Sequence, residues 1–226
     1  MKKMKPYIVA ITGASGVLYG VRLVQVLREL AIPVELVISD TARIVAREEM
    51  GLELGGQTPF SKVEKVEKGS DPFIHVHDFK DFTAPIASGS YPVEGMVVIP
   101  CSMGTLGAIA SGLSQNLIHR AADCTIKEGR KLVLVPRETP LSAIHLENML
   151  KLSRLGVRIV PAMPAFYSGL RRLEPQVLAS VPGAQGPGQQ TIQELVDFLV
   201  GKVLDQFGIS HALYPRWVGS DQAHSS

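Results

Sequence analysis

The chain contains 226 residues, of which 46% are hydrophobic, and this length is sufficient for one domain with a sizeable core. A formal net charge of +2 creates no strong field, so it argues against nucleic acid or an acidic membrane surface as a partner. No stretch approaches the roughly 20 apolar residues that span a bilayer, and the early apolar run Tyr7–Ile11 is too short for a signal peptide. We therefore expect a cytoplasmic protein without a membrane partner.

Short apolar runs alternate with helical patterns along most of the chain. The predicted strands are Tyr7–Thr12, Val34–Ile38, Ile74–Asp78, Met96–Ile99, Lys131–Val135 and Val157–Val160. Apolar residues at helical spacing predict the helices Val17–Ala31, Thr41–Met50, one starting near Leu106, Gln115–Glu128 with Ser114 as its N-cap, Ser142–Leu155 and Thr191–Phe207. This alternation predicts an α/β fold of three layers, with helices on both faces of a Rossmann-like or flavodoxin-like parallel sheet. We expect a single domain over residues 1–210 and a C-terminal tail over 211–226.

Ligands of open parallel sheets bind outside the carboxyl ends of the strands, so the residues that follow each strand are the first candidates for a site. The first strand is followed by TGASG, Thr12–Gly16, whose glycines allow a tight turn and whose helix offers free N–H groups to an anion. The same turn could serve only strand–helix packing. Ser39 follows the second strand and could either donate to a phosphate or cap the next helix. A nicotinamide dinucleotide would favour an acidic residue there, although Asp40 comes next.

Three further strand ends carry residues of distinct chemistry. The segment PCSMGT, Pro100–Thr105, offers small and hydroxyl residues against which a flat ring could lie, and Cys101 within it reads as a packing residue. The segment PRETP, Pro136–Pro140, offers an arginine for an anion beside a carboxylate for proton transfer, or else is a solvated loop. The segment PAMPAFY, Pro161–Tyr167, places an aromatic pair on a stiff loop, as a ligand contact or as a hydrophobic plug.

Several segments carry a more specific signature. They are TGASGVLYGVRL at 12–23, Ser39, Glu49, ASGS at 87–90, PCSMGTL at 100–106, NLIHRAADCTIKEGRKLVLVPRETPLS at 116–142, HLENML at 145–150 and PAFY at 164–167. Together they closely resemble the UbiX-type flavin prenyltransferases, relatives of the fungal phenylacrylic acid decarboxylase partner proteins. The resemblance covers most of the chain through Tyr167 and then the closing helix.

The resemblance implies an activity. In that family, reduced FMN receives a dimethylallyl group from dimethylallyl monophosphate at N5, and C6 then closes a fourth ring. The prenylated flavin serves a separate UbiD-type decarboxylase. Family members form large homo-oligomers, commonly dodecamers, and need no metal.

The resemblance also implies site residues. FMN would be bound by Gly13, Ala14, Ser15, Ser39, Ser88, Ser90, Ser102, Met103, Gly104, Thr105 and Arg137. The prenyl phosphate would be bound by Tyr167, Arg120, Lys127 and Lys202, and the catalytic groups would be Glu138, Glu49 and Ser15. A monophosphate is a poor leaving group, so fixed cations must meet its departing charge, and Glu138 is the expected group for proton transfer.

Two departures from the family pattern leave the donor open between monophosphate and diphosphate. The family usually follows its Phe-Tyr pair with histidine, any residue and proline, whereas Tyr167-Ser168-Gly169-Leu170 stands here and an irregular segment follows to residue 190. Lys202 replaces the family's phosphate-binding arginine, which keeps the charge but loses the bidentate fork.

Three other functions remain as alternatives. A flavin-dependent decarboxylase of cysteine-containing peptides would share the fold, but PCSMGT departs from its PASANT-like motif. An inert flavin carrier would not need Glu49, Glu138 and Tyr167. A short-chain dehydrogenase would need a Tyr-x-x-x-Lys pair, which the sequence lacks.

Metal and disulfide chemistry are not expected. His75 and His77 share one face of a predicted strand and Asp78 follows, yet we expect no metal site. Cys101 and Cys124 lack zinc spacing and fit a reducing compartment, although the two could in principle pair.

Overall fold

The computed structural model describes residues 4–54, 71–163 and 192–217. The chain forms two compact units, the first ending at Met163 and the second beginning at Pro164. The first unit contains a sheet and its covering helices, and the described part of the second contains one helix and a C-terminal segment. Within the described residues, no helix is both long and apolar enough to cross a membrane.

Six parallel strands form the sheet of the first unit. They are β1 (Tyr7–Ile11), β2 (Val34–Ile38), β3 (Ile74–His77), β4 (Gly95–Cys101), β5 (Lys131–Pro136) and β6 (Arg158–Ile159). Their order is β3-β2-β1-β4-β5-β6, so the chain reverses its direction of progress between the neighbours β1 and β4. The predicted α/β class and parallel sheet are confirmed. A crevice for a ligand is expected outside the carboxyl ends of β1 and β4, because these strands flank the reversal.

Five helices accompany these strands in the described part of the first unit, and one lies in the described part of the second. They are α1 (Val17–Glu29), α2 (Asp40–Met50), α3 (Met103–Ala110), α4 (Leu117–Lys127), α5 (Ala143–Arg154) and α6 (Ile192–Phe207), together with a short 3₁₀ helix at Pro85–Ala87. Every residue of β2 and β4 is buried, as near-continuous apolar runs predict for strands covered on both faces.

Side-chain caps set several helix starts. Asn116 caps α4 by accepting from the N–H of His119 (3.0 Å), so the predicted cap Ser114 was wrong and the helix begins two residues later than expected. Ser102 caps α3, and this helix begins at Met103 rather than near Leu106. Ser142 caps α5 in a reciprocal capping box with His145.

Helix α5 buries little of its apolar surface within the chain. Leu152 is its one buried residue, whereas Ile144, Leu146 and Leu150 are each more than half exposed. Such a face on an otherwise well-packed unit indicates a surface that another protein surface covers.

In the second unit, the carboxylate of Asp205 on α6 binds three side chains of the segment that follows the helix. It accepts hydrogen bonds from Arg216 (2.6 Å) and Tyr214, and it pairs with His211 at 3.2 Å. The hydrogen bond from Arg216 is the largest cause that holds the pKa of Asp205 well below its usual range. The start of the predicted tail 211–226 is thus bonded to α6, and residues 218–226 lie outside the described part.

Candidate active site

Thr12 joins the ends of the two central strands. Its hydroxyl donates to the carbonyl of Pro100 (2.8 Å) and accepts from the N–H of Ser102 (2.8 Å). The two loops that follow β1 and β4 are therefore held together at the reversal of the sheet. Thr12 was not among the predicted site residues, although its position directly after an apolar strand and before a glycine turn could have indicated it.

The turn after β1 requires glycine at two positions. A Cβ at Gly13 would overlap the side chain of Thr41 at the start of α2, so that residue has no room for one. Gly16 has a φ of 96°, in the left-handed region that other residues rarely adopt. Ala14 is buried between them, while Ser15 is exposed and stands at the beginning of α1. The turn therefore presents one hydroxyl beside the positive end of a helix.

Glu49 supplies the cap that α1 lacks in its own sequence. Its carboxylate, which comes from α2, accepts from the N–H of Gly16 (3.0 and 3.1 Å) and from the N–H of Val17 (3.3 Å). A negative charge at the N-terminal end of a helix is favourable, because the free N–H groups and the helix dipole are positive there. Glu49 thus lies beside Ser15, as the predicted site requires, and it also stabilises the glycine turn.

Ser39 acts as the N-cap of α2. Its Oγ accepts from the N–H of Ala42 (3.1 Å), and its own N–H donates to the carbonyl of Ile11 (3.0 Å). One of the two predicted roles of Ser39 is therefore confirmed. Since a hydroxyl that accepts still has a proton to donate, the cap does not prevent contact with a phosphate.

The first turn of α3 provides an open backbone surface. Ser102 Oγ accepts from the N–H of Thr105 (3.2 Å) and donates to Thr105 Oγ1 (3.1 Å). Gly104 is exposed, and a Cβ at this position would meet no atom within 4 Å. Met103 and Gly104 therefore leave space in which a flat ring could approach the helix N-terminus.

Arg137 and Glu138 follow β5 directly, and both side chains are exposed. A Cβ at Gly16 would lie 3.7 Å from Arg137 Cδ, so the arginine reaches the glycine turn. Burial raises the pKa of Tyr19 on α1, and the positive charge of Arg137 partly offsets that increase. Oε1 of Glu138 accepts from the N–H of Thr139 (3.1 Å). The structure therefore brings Arg137 to the glycine turn that carries Ser15 and that Glu49 caps. We call Ser15, Glu49 and Arg137, with Gly13, Ala14, Ser39, Ser102–Thr105 and Glu138, the carboxyl-edge cluster.

The remaining predicted residues of the first unit lie on α4 and on the loop beside it. We call them the α4 cluster: Ser88, Ser90, Arg120 and Lys127. The hydroxyls of Ser88 and Ser90 bond to each other at 2.8 Å on an exposed loop. Arg120 Nε donates to the carbonyl of Ala87 (2.9 Å) and Nη1 donates to Asp123 (2.8 Å). These contacts hold the loop along α4.

Lys127 lies at the far end of that loop. Its ammonium donates to Glu128, and a Cβ at Gly89 would overlap the side chains of both residues. Arg130, just beyond, donates to the carbonyls of Gly89 (2.7 Å) and Tyr91 (2.9 Å). Arg120 and Arg130 are therefore already bonded to the loop that carries the two serines, whereas Lys127 bonds to Glu128 beside it.

Lys127 and Arg137 lie at opposite ends of β5. Lys127 precedes this strand, which starts at Lys131, and Arg137 follows its last residue, Pro136. A six-residue strand is about 17 Å long. One copy of the first unit therefore does not bring Lys127 to Arg137.

The two other predicted substrate residues are placed as follows. Tyr167 lies outside the described residues. Lys202 is on α6 in the second unit, where its Nζ is 4.0 Å from Oδ2 of Asp205 and 6.0 Å from the ring centre of Tyr214.

Comparisons with known proteins identify relatives over nearly the whole length. Residues 1–204 match the family model named Flavoprotein. The chain is 48% identical to the flavin prenyltransferase UbiX of Halalkalibacterium halodurans, over 97% of this chain and 96% of that protein. It is similar to the crystal structure of AnUbiX (PadA1) in complex with FMN and dimethylallyl pyrophosphate, at 36% identity and a TM-score of 0.78, covering 96% and 100% of the two chains. It is also similar to a dodecameric FMN-dependent UbiX-like decarboxylase from Escherichia coli O157:H7, at 42% identity and a TM-score of 0.75, covering 95% and 100%.

Proposed function

Since the chain belongs to the UbiX-type flavin prenyltransferases of the flavoprotein family, we propose that it joins a dimethylallyl group from dimethylallyl monophosphate to N5 and C6 of reduced FMN. The observation that carries the proposal is the approach of Arg137 to the glycine turn at the reversal of the sheet. A helix N-terminus, an exposed hydroxyl and a guanidinium at one place suit a phosphate group. AnUbiX, at 36% identity, was crystallised with both FMN and dimethylallyl pyrophosphate.

The carboxyl-edge cluster fits FMN in two ways. The N–H groups and hydroxyls of Gly13–Ser15 and Ser39, with Arg137, would hold the phosphate. The open first turn of α3 would lie against the flavin ring, because Gly104 leaves room for a planar group there. Reduced FMN, when bound, supplies the electron-rich N5 and C6 positions that accept the prenyl group.

Glu138 is the proposed proton-transfer group. Its carboxylate is exposed at the carboxyl edge, one residue from Arg137, where it could take a proton from C6 or give one to the leaving phosphate. Ser15 and Glu49 are proposed to orient the reacting groups at the glycine turn. The three hydrogen bonds to Gly16 and Val17, which hold the Glu49 carboxylate at that turn, support this proposal.

The prenyl phosphate needs cations, and we propose Lys127, Arg120 and Lys202 for this role, with Tyr167 as a further ligand. Because Lys127 and Arg137 flank opposite ends of β5, a site that uses both requires a second copy of the chain. The exposed apolar face of α5 supports such a homo-oligomer. We propose a dodecamer, as described for the Escherichia coli relative.

Several broader features are proposed with this activity. Residues 1–210 would form the FMN-binding domain, and the product would serve a UbiD-type decarboxylase. A cytoplasmic location suits Cys101 and Cys124, which are buried free thiols.

The proposal is tested by anaerobic incubation of the protein with reduced FMN and either dimethylallyl monophosphate or dimethylallyl diphosphate, followed by mass spectrometry of the flavin. We expect a flavin that is heavier by one five-carbon unit, formed faster from the monophosphate. A flavin of unchanged mass with both donors would contradict transfer and would favour a carrier. Faster reaction with the diphosphate would correct only the donor.

A further inference from the structure

A buried polar cluster lies at the β3 edge of the sheet, apart from both clusters described above. Glu35 on β2 stands directly opposite His75 on β3 in the parallel register, and His77 follows two positions later. Because alternate residues of a strand point to the same face, the three side chains share one face of the sheet. Glu35 and His77 are buried, whereas His75 is exposed.

The three side chains already point their metal-binding atoms at one another. His77 Nε2 lies 2.6 Å from Glu35 Oε2, and the rings of His75 and His77 are 4.6 Å apart, edge to face. One ligand atom from each residue lies within 4.8 Å of the other two. Tetrahedral zinc, with bonds of about 2.0–2.1 Å, places its ligand atoms about 3.3 Å apart. The 2.6 Å contact and the 4.8 Å upper limit lie on either side of this value, so side-chain rotations would be needed to complete the geometry.

A second group orients the carboxylate. The hydroxyl of Tyr91 donates to Glu35 Oε1 (2.6 Å), which leaves Oε2 directed toward the histidines. Tyr91 is itself fixed, because Arg130 donates to its backbone carbonyl (2.9 Å). Hydrogen bonds of this kind to a ligating carboxylate fix its orientation and strengthen metal sites.

We propose that Glu35, His75 and His77 bind a divalent cation of the zinc type, with a water molecule in the fourth position. Two imidazoles and one carboxylate form a ligand set that zinc accepts, and the exposed side of His75 leaves a path for the ion. The sequence suggested Asp78 as the third ligand and favoured no metal, whereas the fold supplies Glu35 from the neighbouring strand. The bound ion would clip the edge strand β3 to β2.

A simpler account treats Glu35 and His77 as a buried ion pair. That account assigns no role to His75, and it predicts no metal affinity. Substitution of His75 therefore distinguishes the two accounts. Because His75 is exposed, its substitution should affect the stability of the fold little.

The test uses the full chain, freed of metal with a chelator and dialysed, in the absence of FMN. Titration with Zn²⁺ by calorimetry should show about one equivalent per chain with a Kd in the micromolar range or below, and Co²⁺ should give the visible bands of four-coordinate cobalt. His75→Gln should weaken Zn²⁺ binding at least about 10-fold. The matched control is His145→Gln, which removes a histidine of the α5 capping box and should leave Zn²⁺ affinity unchanged.

Tyr91→Phe provides a second variant. It keeps the ring and removes the hydroxyl that orients Glu35, so Zn²⁺ affinity should fall about 10-fold, the lower end for such outer contacts. Equal Zn²⁺ affinity in His75→Gln and in the unmodified protein would overturn the proposal, as would the absence of binding up to millimolar Zn²⁺. Neither result depends on prenyl transfer, so the two proposals can fail separately.

Discussion

The carboxyl-edge cluster and the α4 cluster contain similar residue types but use them differently. On α4, Arg120 bonds to Ala87 and Asp123 and so holds the loop beside the helix, and Lys127 pairs with Glu128. At the carboxyl edge, Ser15, Arg137 and Glu138 are exposed. The comparison teaches that predicted ligand residues fall into two classes, those already engaged in the fold and those open to a ligand.

Backbone geometry explains much of this difference. The carboxyl edge consists of helix N-termini and a glycine turn, where N–H groups favour an anion, and those of Gly16 and Val17 already bind the carboxylate of Glu49. Beside α4, the carbonyls of residues 87, 89 and 91 instead accept from guanidinium groups, the first from Arg120 and the other two from Arg130. Substitutions in the two clusters test whether their residues divide into those engaged in the fold and those open to a ligand.

Glu138→Gln should reduce the rate of prenyl transfer by about 10²–10⁴-fold, because it removes the proposed proton-transfer group. FMN binding should change little, since Glu138 is not proposed to hold the phosphate. Single-turnover mass spectrometry of the flavin measures the rate, and Glu94→Gln, an exposed carboxylate at the start of β4, is the matched control. Full activity in Glu138→Gln would remove this residue from the mechanism.

Mixed oligomers test whether the two clusters meet across chains. Lys127→Ala and Glu138→Gln should each be nearly inactive alone. If each site takes its cations and its carboxylate from different chains, co-assembled subunits should recover about a quarter of the activity by random mixing. Recovery should require co-unfolding or co-expression. No recovery in verified mixed oligomers would show that the two residues do not act in a shared site of this kind.

Arg137→Ala should weaken FMN binding by about 10–100-fold, which corresponds to about 1.4–2.8 kcal/mol for a lost charge-assisted contact. Arg137→Lys should recover part of the affinity, because charge remains while the fork is lost. Fluorescence quenching of FMN measures both. Arg154→Ala, at the end of α5, is a matched control that should bind FMN as the unmodified protein does. Unchanged affinity in Arg137→Ala would place the phosphate elsewhere.

Glu49→Ala should lower the free energy of unfolding by about 1 kcal/mol, because α1 loses the carboxylate that caps it. Its neighbour Glu48→Ala should change stability by less than about 0.5 kcal/mol, as an exposed helix position. Urea denaturation monitored by circular dichroism compares the two. Equal effects of both substitutions would mean that the capping contact contributes nothing.

Ser39→Ala should lower stability by about 1 kcal/mol and should also weaken FMN binding, since one hydroxyl is proposed to serve two purposes. Asn116→Ala removes the cap of α4 in the same way and should lower stability alone. The difference in FMN affinity between the variants isolates the contribution of Ser39 to phosphate binding. If both variants bind FMN equally, Ser39 is only a cap.

The sequence predicted the six strands and most of the helices, because the apolar period of a segment follows from which of its residues the fold buries; the order of the strands came only from the structure. It missed the first turn of α3, since Met103–Thr105 are small or flexible residues without an apolar period and the start is set by Ser102. It also chose Ser114 over Asn116 as a cap, because both residue types cap helices and only the packed structure distinguishes them.

The site was predictable in part for a similar reason. Residues directly after a strand, such as Arg137, could be assigned to the carboxyl edge from topology alone. The contact of Glu49 with Gly16 joins residues that are 33 positions apart, and no local pattern reports it. The sequence already places Lys127 before β5 and Arg137 after it. Only the folded strand shows that its length separates the two side chains. Glu35 entered the metal proposal only through its register with His75.

A crystal structure of the protein with bound FMN tests the central claim most directly. We predict the FMN phosphate within hydrogen-bond distance of the Gly13–Ser15 turn and Arg137, with the flavin ring against the first turn of α3 and near Glu138. FMN bound at another edge of the sheet, with Arg137 and Ser15 making no contact to it, would contradict the account.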